Sequence, residues 1–255
     1  LEAIVALSYV ADARAMAAAL QVLDYPMDKF LRHALEKTTF ALESYWSKAL
    51  NTGALEFKSP THLAWLAGYR SPSSLKVEDY KSLLEVPGLS TEVKRNLLLN
   101  IARIGGTEDL ASVMRHPQIS TDARLLEALA LIPEKNIDRG SEEILKKLFR
   151  TSESDDIQLA AIRLIRAWKT TDLADQLEAL LQNPRNSEMV RAESLLALVE
   201  LRGAGALPSL VALRKDPKTS RILRIASLKA LLQLDLKEAA LATVAVIRRP
   251  DTGED

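Results

Sequence analysis

Met189-Val190-Arg191-Ala192-Glu193-Ser194-Leu195-Leu196-Ala197-Leu198-Val199-Glu200-Leu201 is followed, 33 residues on, by Ile222-Leu223-Arg224-Ile225-Ala226-Ser227-Leu228-Lys229-Ala230-Leu231-Leu232-Gln233-Leu234. Each copy opens on an apolar residue and an arginine, then runs into leucine and alanine. Leu195, Leu198 and Val199 fall at i, i+3, i+4, and Leu228, Leu231 and Leu232 repeat the spacing. That is the apolar stripe of a 3.6-residue helix. Three earlier stretches share the pattern: Glu92-Val93-Lys94 to Ile104, Asp122-Ala123-Arg124 to Ile132, and Asp156-Ile157-Gln158 to Trp168. The apolar anchors Val93, Ala123, Ile157, Val190 and Leu223 recur at intervals of 30, 34, 33 and 33 residues. A fixed period of this size marks stacked supersecondary units.

Between these helices, shorter ones run into proline: Leu23-Asp24-Tyr25-Pro26, Met114-Arg115-His116-Pro117, Gln182-Asn183-Pro184 and Lys215-Asp216-Pro217. Proline cannot continue a helix, so it sets the turn between the first and second helix of a unit. One such hairpin cannot cover its own stripe, whereas a stack of them can. The pattern resembles HEAT-like repeats. The resemblance implies an all-α chain, a right-handed α-solenoid of helical hairpins (an ARM-type superhelix), running over 1–255 as one array of about seven units. Leu1 to Leu7 overlays Ala192 to Leu198, so the first unit is expected to be truncated and the chain to be a piece of something longer. Residues 250–255 read as a flexible tail.

One region departs from the rhythm. The helix signal from Asp28 to Leu50 is long, Asn51-Thr52-Gly53 reads as a turn, and short helices are expected at Thr61–Tyr69 and Val77–Val86. Phe30 to Val93 spans 63 residues, two repeat lengths, so 51–88 is expected to hold an irregular unit.

Composition narrows the function. Lysine plus arginine equals aspartate plus glutamate, 34 against 34, and the formal net charge is zero. A nucleic-acid binder draws most of its affinity from neutralising phosphates, so this balance argues against one. There is no cysteine, which removes disulfides, zinc–thiolate sites and c-type haem attachment from these residues. No apolar run approaches the ~20 residues of a membrane span.

The candidate chemical groups read as structure. His33, His62 and His116 are too far apart in sequence for a helical metal pair. Glu142-Glu143 follows Ser141 and Asp155-Asp156 follows Ser154, as acidic residues do where they offset the partial charge of a helix start. Gly105-Gly106 and Gly203-Ala204-Gly205 lie between units and lack the lysine of a phosphate loop. No catalytic residue, metal or cofactor is expected.

Two sets are candidates for binding a partner. Lys94, Arg124, Arg191 and Arg224, with Gln158 in the third place, form a ladder at equivalent repeat positions. It reads either as helix-end and acidic pairing inside the stack or as a basic stripe for an acidic partner. Trp46, Trp65 and Trp168 read as packing residues, or as interface anchors where exposed.

Leu23-Asp24-Tyr25-Pro26, the helix ending Tyr45-Trp46-Ser47-Lys48-Ala49-Leu50, and His62-Leu63 before a short apolar helix carry a further resemblance. This part is similar to the helical-repeat region of the secreted haem-binding, membrane-bound-dehydrogenase-like proteins of planctomycetes and verrucomicrobia. In those proteins a β-propeller precedes the repeats and a CxxCH cytochrome domain follows. Neither is present here, so no haem ligand carries over. The resemblance implies a non-catalytic scaffold, a spacer in a larger extracytoplasmic (periplasmic) redox protein whose partner is a neighbouring domain or another protein. The alternatives are a HEAT-like nucleic-acid-binding or DNA-repair protein and a bilin lyase or chaperone, the latter with no residue in its favour.

Overall fold

The computed structural model describes residues 1–54, 59–69, 75–133, 137–151, 154–216 and 219–234, and the side chains of Arg150, Thr151, Arg214 and Lys215 are not described. The expected tail at 250–255, and Pro217, lie outside the described residues. All regular structure among the described residues is helical. The chain forms two compact units, 1–113 and 114–255. The first holds α1 (Glu2–Leu7), α2 (Ala13–Leu20), α3 (Lys29–Ala41), α4 (Glu43–Asn51), α5 (Pro60–Tyr69), α6 (Val77–Leu84) and α7 (Thr91–Ile104). The division falls inside α8 (Thr107–Arg115). The second holds α9 (Ala123–Ala130), α10 (Arg139–Thr151), α11 (Asp155–Ala167), α12 (Ala174–Gln182), α13 (Glu188–Arg202), α14 (Leu207–Lys215) and α15 (Arg221–Leu234).

One device starts every second helix. Asp28, Ser59, Ser90, Asp122, Ser154, Ser187 and Ser220 each stand just ahead of α3, α5, α7, α9, α11, α13 or α15. In each, the backbone carbonyl accepts from the N–H four residues on, at 2.9 to 3.4 Å. These residues recur at intervals of 31, 31, 32, 32, 33 and 33. Where side-chain capping is seen, the Asp or Ser oxygen takes a second orphan donor three residues on: Leu31, Val93, Leu125, Val190 or Leu223. Short polar side chains do this because their oxygen reaches the free N–H groups of the first turn. The apolar anchor that then turns inward is Leu125 and not Ala123. Leu125 is fully buried, and the corrected anchor intervals from Val93 are 32, 32, 33 and 33.

The expected helix from Asp28 to Leu50 is two helices. α3 stops at Leu42, whose φ of −97° and ψ of 7° are not helical. The cause is Trp46. Its indole N–H donates to the Thr39 carbonyl at 2.8 Å, which takes the acceptor that Glu43 N–H would use in a continuous helix. The break makes α3 a second helix and α4 the first helix of the next pair. Within 51–88 the described residues therefore keep the helix alternation, ending in a left-handed turn at Gly88 (φ +76°) that only glycine adopts cheaply. α10 also starts earlier than the sequence suggests. Asp138, and not Ser141, accepts its first-turn bonds, from the backbone N–H and the hydroxyl of Ser141.

In the second unit α11 packs between α9 and α13, and α13 packs against α12 and α15. Leu195, Leu198 and Val199 of α13 meet Leu223, Ala226 and Ala230 of α15 in one core. In the first unit α5 packs against α6 and α7, and α3 against α1 and α2. Gly68 lets α5 and α7 close together, for a Cβ there would lie 3.2 Å from Val93 Cγ1. The absence of any span-length apolar run needs correction. Glu188–Leu213, 26 residues, is long and apolar enough to cross a membrane by length and composition. It is broken into α13 and α14 at Gly203 (φ +54°), and Leu195, Leu198 and Leu210 point into the core.

Candidate functional site

α13 and α15 each follow a shorter helix that ends near their own start. That proximity explains part of the basic ladder. Arg191 Nε donates to the Leu181 carbonyl at the end of α12, 2.9 Å away, and Arg224 Nε donates to the Thr219 carbonyl at 2.7 Å. Gln158, buried, donates to the Phe149 carbonyl in the last turn of α10 at 3.3 Å. Each side chain thus satisfies a carbonyl that the preceding helix or turn leaves free, and a cation placed there also complements the negative end of a helix. Lys94 holds the same register and is half-buried. Arg124 does not belong to the series. It lies two residues after its capping Asp122, whereas the others lie four after theirs; Leu126 occupies the ladder position in α9.

Trp46, Trp65 and Trp168 are 0, 4 and 3% exposed. Burial takes all three off the surface and corrects the reading of them as interface anchors. Their N–H groups are used internally: Trp46 on the Thr39 carbonyl, Trp65 on Thr39 Oγ1 at 3.0 Å, Trp168 on the Ile132 carbonyl at 3.3 Å. The exposed aromatic residues of α3 and α4 are instead Phe30, Phe40 and Tyr45.

The second helices carry most of the charge pairing in the second unit. Arg163 of α11 reaches Glu127 of α9 at 2.8 Å. Arg166 of α11 bridges Glu200 at 2.7 Å and Glu193 at 3.2 Å, both on α13. The Glu200 and Glu193 carboxylates hold the Arg166 guanidinium above its ordinary pKa. Arg202 binds Asp175 and Glu178 of α12, and Glu178 also accepts from the Ser209 hydroxyl. Arg202 and then Ser209 hold the Glu178 carboxyl below its usual value. Glu127, Arg163, Arg166, Glu193, Glu200 and Arg202 are thus paired within the unit.

The first unit presents something different. A groove of about 290 Å³ lies over α3, α5 and α7, lined by Glu36, Phe40, Tyr69, Glu92, Asn96 and Arg103 among others. Phe40 and Tyr69 meet edge to face at 5.5 Å, and Tyr69 tilts against Trp65 at 5.0 Å. Burial, then the Glu36 and Glu92 carboxylates, push the Tyr69 hydroxyl well above its ordinary pKa, so it stays a neutral donor. Beneath them, buried Asn100 donates to the Ala67 carbonyl at 2.9 Å and fixes α7 against α5.

The histidines stay apart. His62 contacts Asp24 at 3.1 Å, exposed His33 lies 4.0 Å from Glu36, and His116 Nδ1 accepts from Gln118 N–H. Among the described residues no three His, Cys, Asp or Glu side chains gather as a metal would need.

The repeating caps, the alternating helices and the packing of second helix on second helix are now in view. Residues 141–232 match the family model of HEAT repeats. The match covers most of α10 to all but the last residues of α15. HEAT repeats are a scaffold for protein interactions, and this stretch is a HEAT-like region. Comparison with curated proteins and with solved structures returns no match. None of the comparisons links the chain to the haem-binding dehydrogenase-like proteins.

Proposed function

We propose that the chain is a non-catalytic scaffold that binds a protein through its row of second helices. The observation that carries this reading is the repeat register itself. Seven helices start on the same capped turn; in the second unit α9, α11, α13 and α15 pack in series, and in the first unit α5 packs on α7. Surfaces of this kind bind extended or helical segments through many modest contacts. In the proposal the array runs over 1–255 and winds in the right-handed sense. Its setting is that of a spacer in a larger extracytoplasmic redox protein, which rests on the likeness of residues 17–75 alone; a CxxCH motif encoded downstream in the complete reading frame tests it.

The binding claim is tested with the whole chain as bait. A specific partner retained by the chain should be lost from Phe40→Lys and Arg163→Glu, both on second helices, and kept by Glu108→Lys on the first-helix side. Equal retention by all three variants would overturn the placement. Retention of DNA at low salt, with no protein retained, would favour the nucleic-acid reading instead.

A further inference from the structure

We propose that the groove over α3, α5 and α7 receives an arginine or lysine side chain of the protein partner. The inference rests on the scaffold reading and names the chemistry of one contact in it. Three observations support it. The groove, about 290 Å³, is near the lower bound of ~300 Å³ for sites that hold a small ligand, and so fits one side chain and not a helix. Its rim carries two carboxylates, Glu36 and Glu92, and Glu92 is exposed with no ion pair among the described residues. Phe40 is 55% exposed and lines the groove together with the two carboxylates, its ring also standing at right angles to that of Tyr69. Carboxylate and aromatic face together recognise a cation by charge-assisted hydrogen bonding and by ring attraction.

The other charges around the groove do not cancel this. Arg32 lies one turn before Glu36 on α3, and its effect on Tyr69 is smaller than that of either carboxylate. Arg103 lines the groove at the far end of α7, 11 residues beyond Glu92, which is about 16 Å along the helix. His33 sits outside, 69% exposed, against Glu36. The groove therefore has an acidic, aromatic end and a separate basic end. The contrast with the second unit sharpens the point: there the carboxylates of the second helices, Glu127, Glu193 and Glu200, already hold Arg163 and Arg166. In the first unit no ion pair to Glu92 is seen among the described residues, and in the proposal the partner supplies the cation. Carboxylates on this rim repel phosphate, so nucleic acid is not the occupant.

The test uses short fluorescent peptides that alternate serine with arginine, lysine or glutamate, titrated by anisotropy against the whole chain. The arginine and lysine peptides should bind and the glutamate peptide should not. Glu36→Gln/Glu92→Gln, which keeps the acceptor for Tyr69, should weaken arginine-peptide binding about tenfold, and Phe40→Ala several-fold. Glu108→Gln on the first-helix side should leave it unchanged. Far-ultraviolet dichroism matching the parent chain shows that each variant is folded. Unchanged binding by the double variant, equal binding of the glutamate peptide, or no binding by the parent chain would each overturn the proposal. A partner that the whole chain captures, and that the double variant captures equally, overturns the groove and leaves the scaffold reading standing.

Discussion

Removing the Asp122 side chain should cost more than removing any serine cap of the same series. Asp122 is 7% exposed, and two of its duties are seen at its carboxylate oxygens. Its Oδ1 accepts from Leu125 N–H at the start of α9, and its Oδ2 accepts from buried Gln118 Nε2 at 2.8 Å. Asp122→Ala loses the cap, about 1 kcal/mol. It also strands one Gln118 donor in a site with little access to water, which costs a further ~1–3 kcal/mol. The expected loss is about 2–4 kcal/mol. Ser187→Ala removes only the bond to Val190 N–H at the start of α13 and should cost about 1 kcal/mol. Asp122→Asn keeps an acceptor for one of the two donors and should fall between them. Urea unfolding monitored by dichroism at fixed pH, with hydrogen exchange of the α9 amides, measures all three. An Asp122→Ala loss equal to or below that of Ser187→Ala would refute the reasoning, because the second duty would then carry no energy.

Other substitutions probe separate links. Gly68→Ala should destabilise the first unit by about 1–3 kcal/mol through overpacking on Val93, and Val93→Ala should recover part of that loss in the double variant; Trp65 fluorescence follows it. Gln176 Oε1 is buried with no partner among the described residues, so Gln176→Leu should raise stability by about 1 kcal/mol in a urea titration. Glu178 and Asp109 have folded-state pKa values below their ordinary 4.5 and 3.8, through Arg202 and Lys81 respectively. Their contribution is complete above those ordinary values and is lost as pH falls through the lowered ones. Stability should thus decline below about pH 4.5, and Glu178→Gln should make the decline shallower.

The fold was readable because its signals are local and repeated. Leu195, Leu198 and Val199 predict a buried stripe, and Pro184 predicts the turn before α13, with no knowledge of the neighbours. An apolar landmark misplaces the register of α9 by two residues. Ala123 and Leu125 both satisfy that pattern. The better landmark is the capping Asp or Ser, whose regular recurrence from Asp28 to Ser220 also passes through the region that looked irregular. The break after Ala41 could not be read locally, because it depends on an indole seven residues on reaching back to a single carbonyl. The same limit applies to the surface. The sequence shows which residues are charged, but Arg163 and Arg166 find their carboxylates 27 to 36 residues away, on helices brought close only by stacking. Glu36, Phe40, Tyr69 and Glu92 come together for the same reason, and only their aromatic and acidic composition could have marked them. The tryptophans were ambiguous for a related cause: a large apolar ring with one donor suits a core with a free carbonyl as well as it suits an interface.

The central claim, that the second-helix face binds a protein, is tested most directly by photocross-linking. A benzophenone-bearing amino acid at Phe40 or Glu127 in the whole chain, and at Glu108 as the control, is irradiated in extract of the source cells. The account predicts a discrete adduct of one partner from Phe40 and Glu127 and none from Glu108. Adducts from Glu108 alone, or no adduct from either second-helix position, would contradict it.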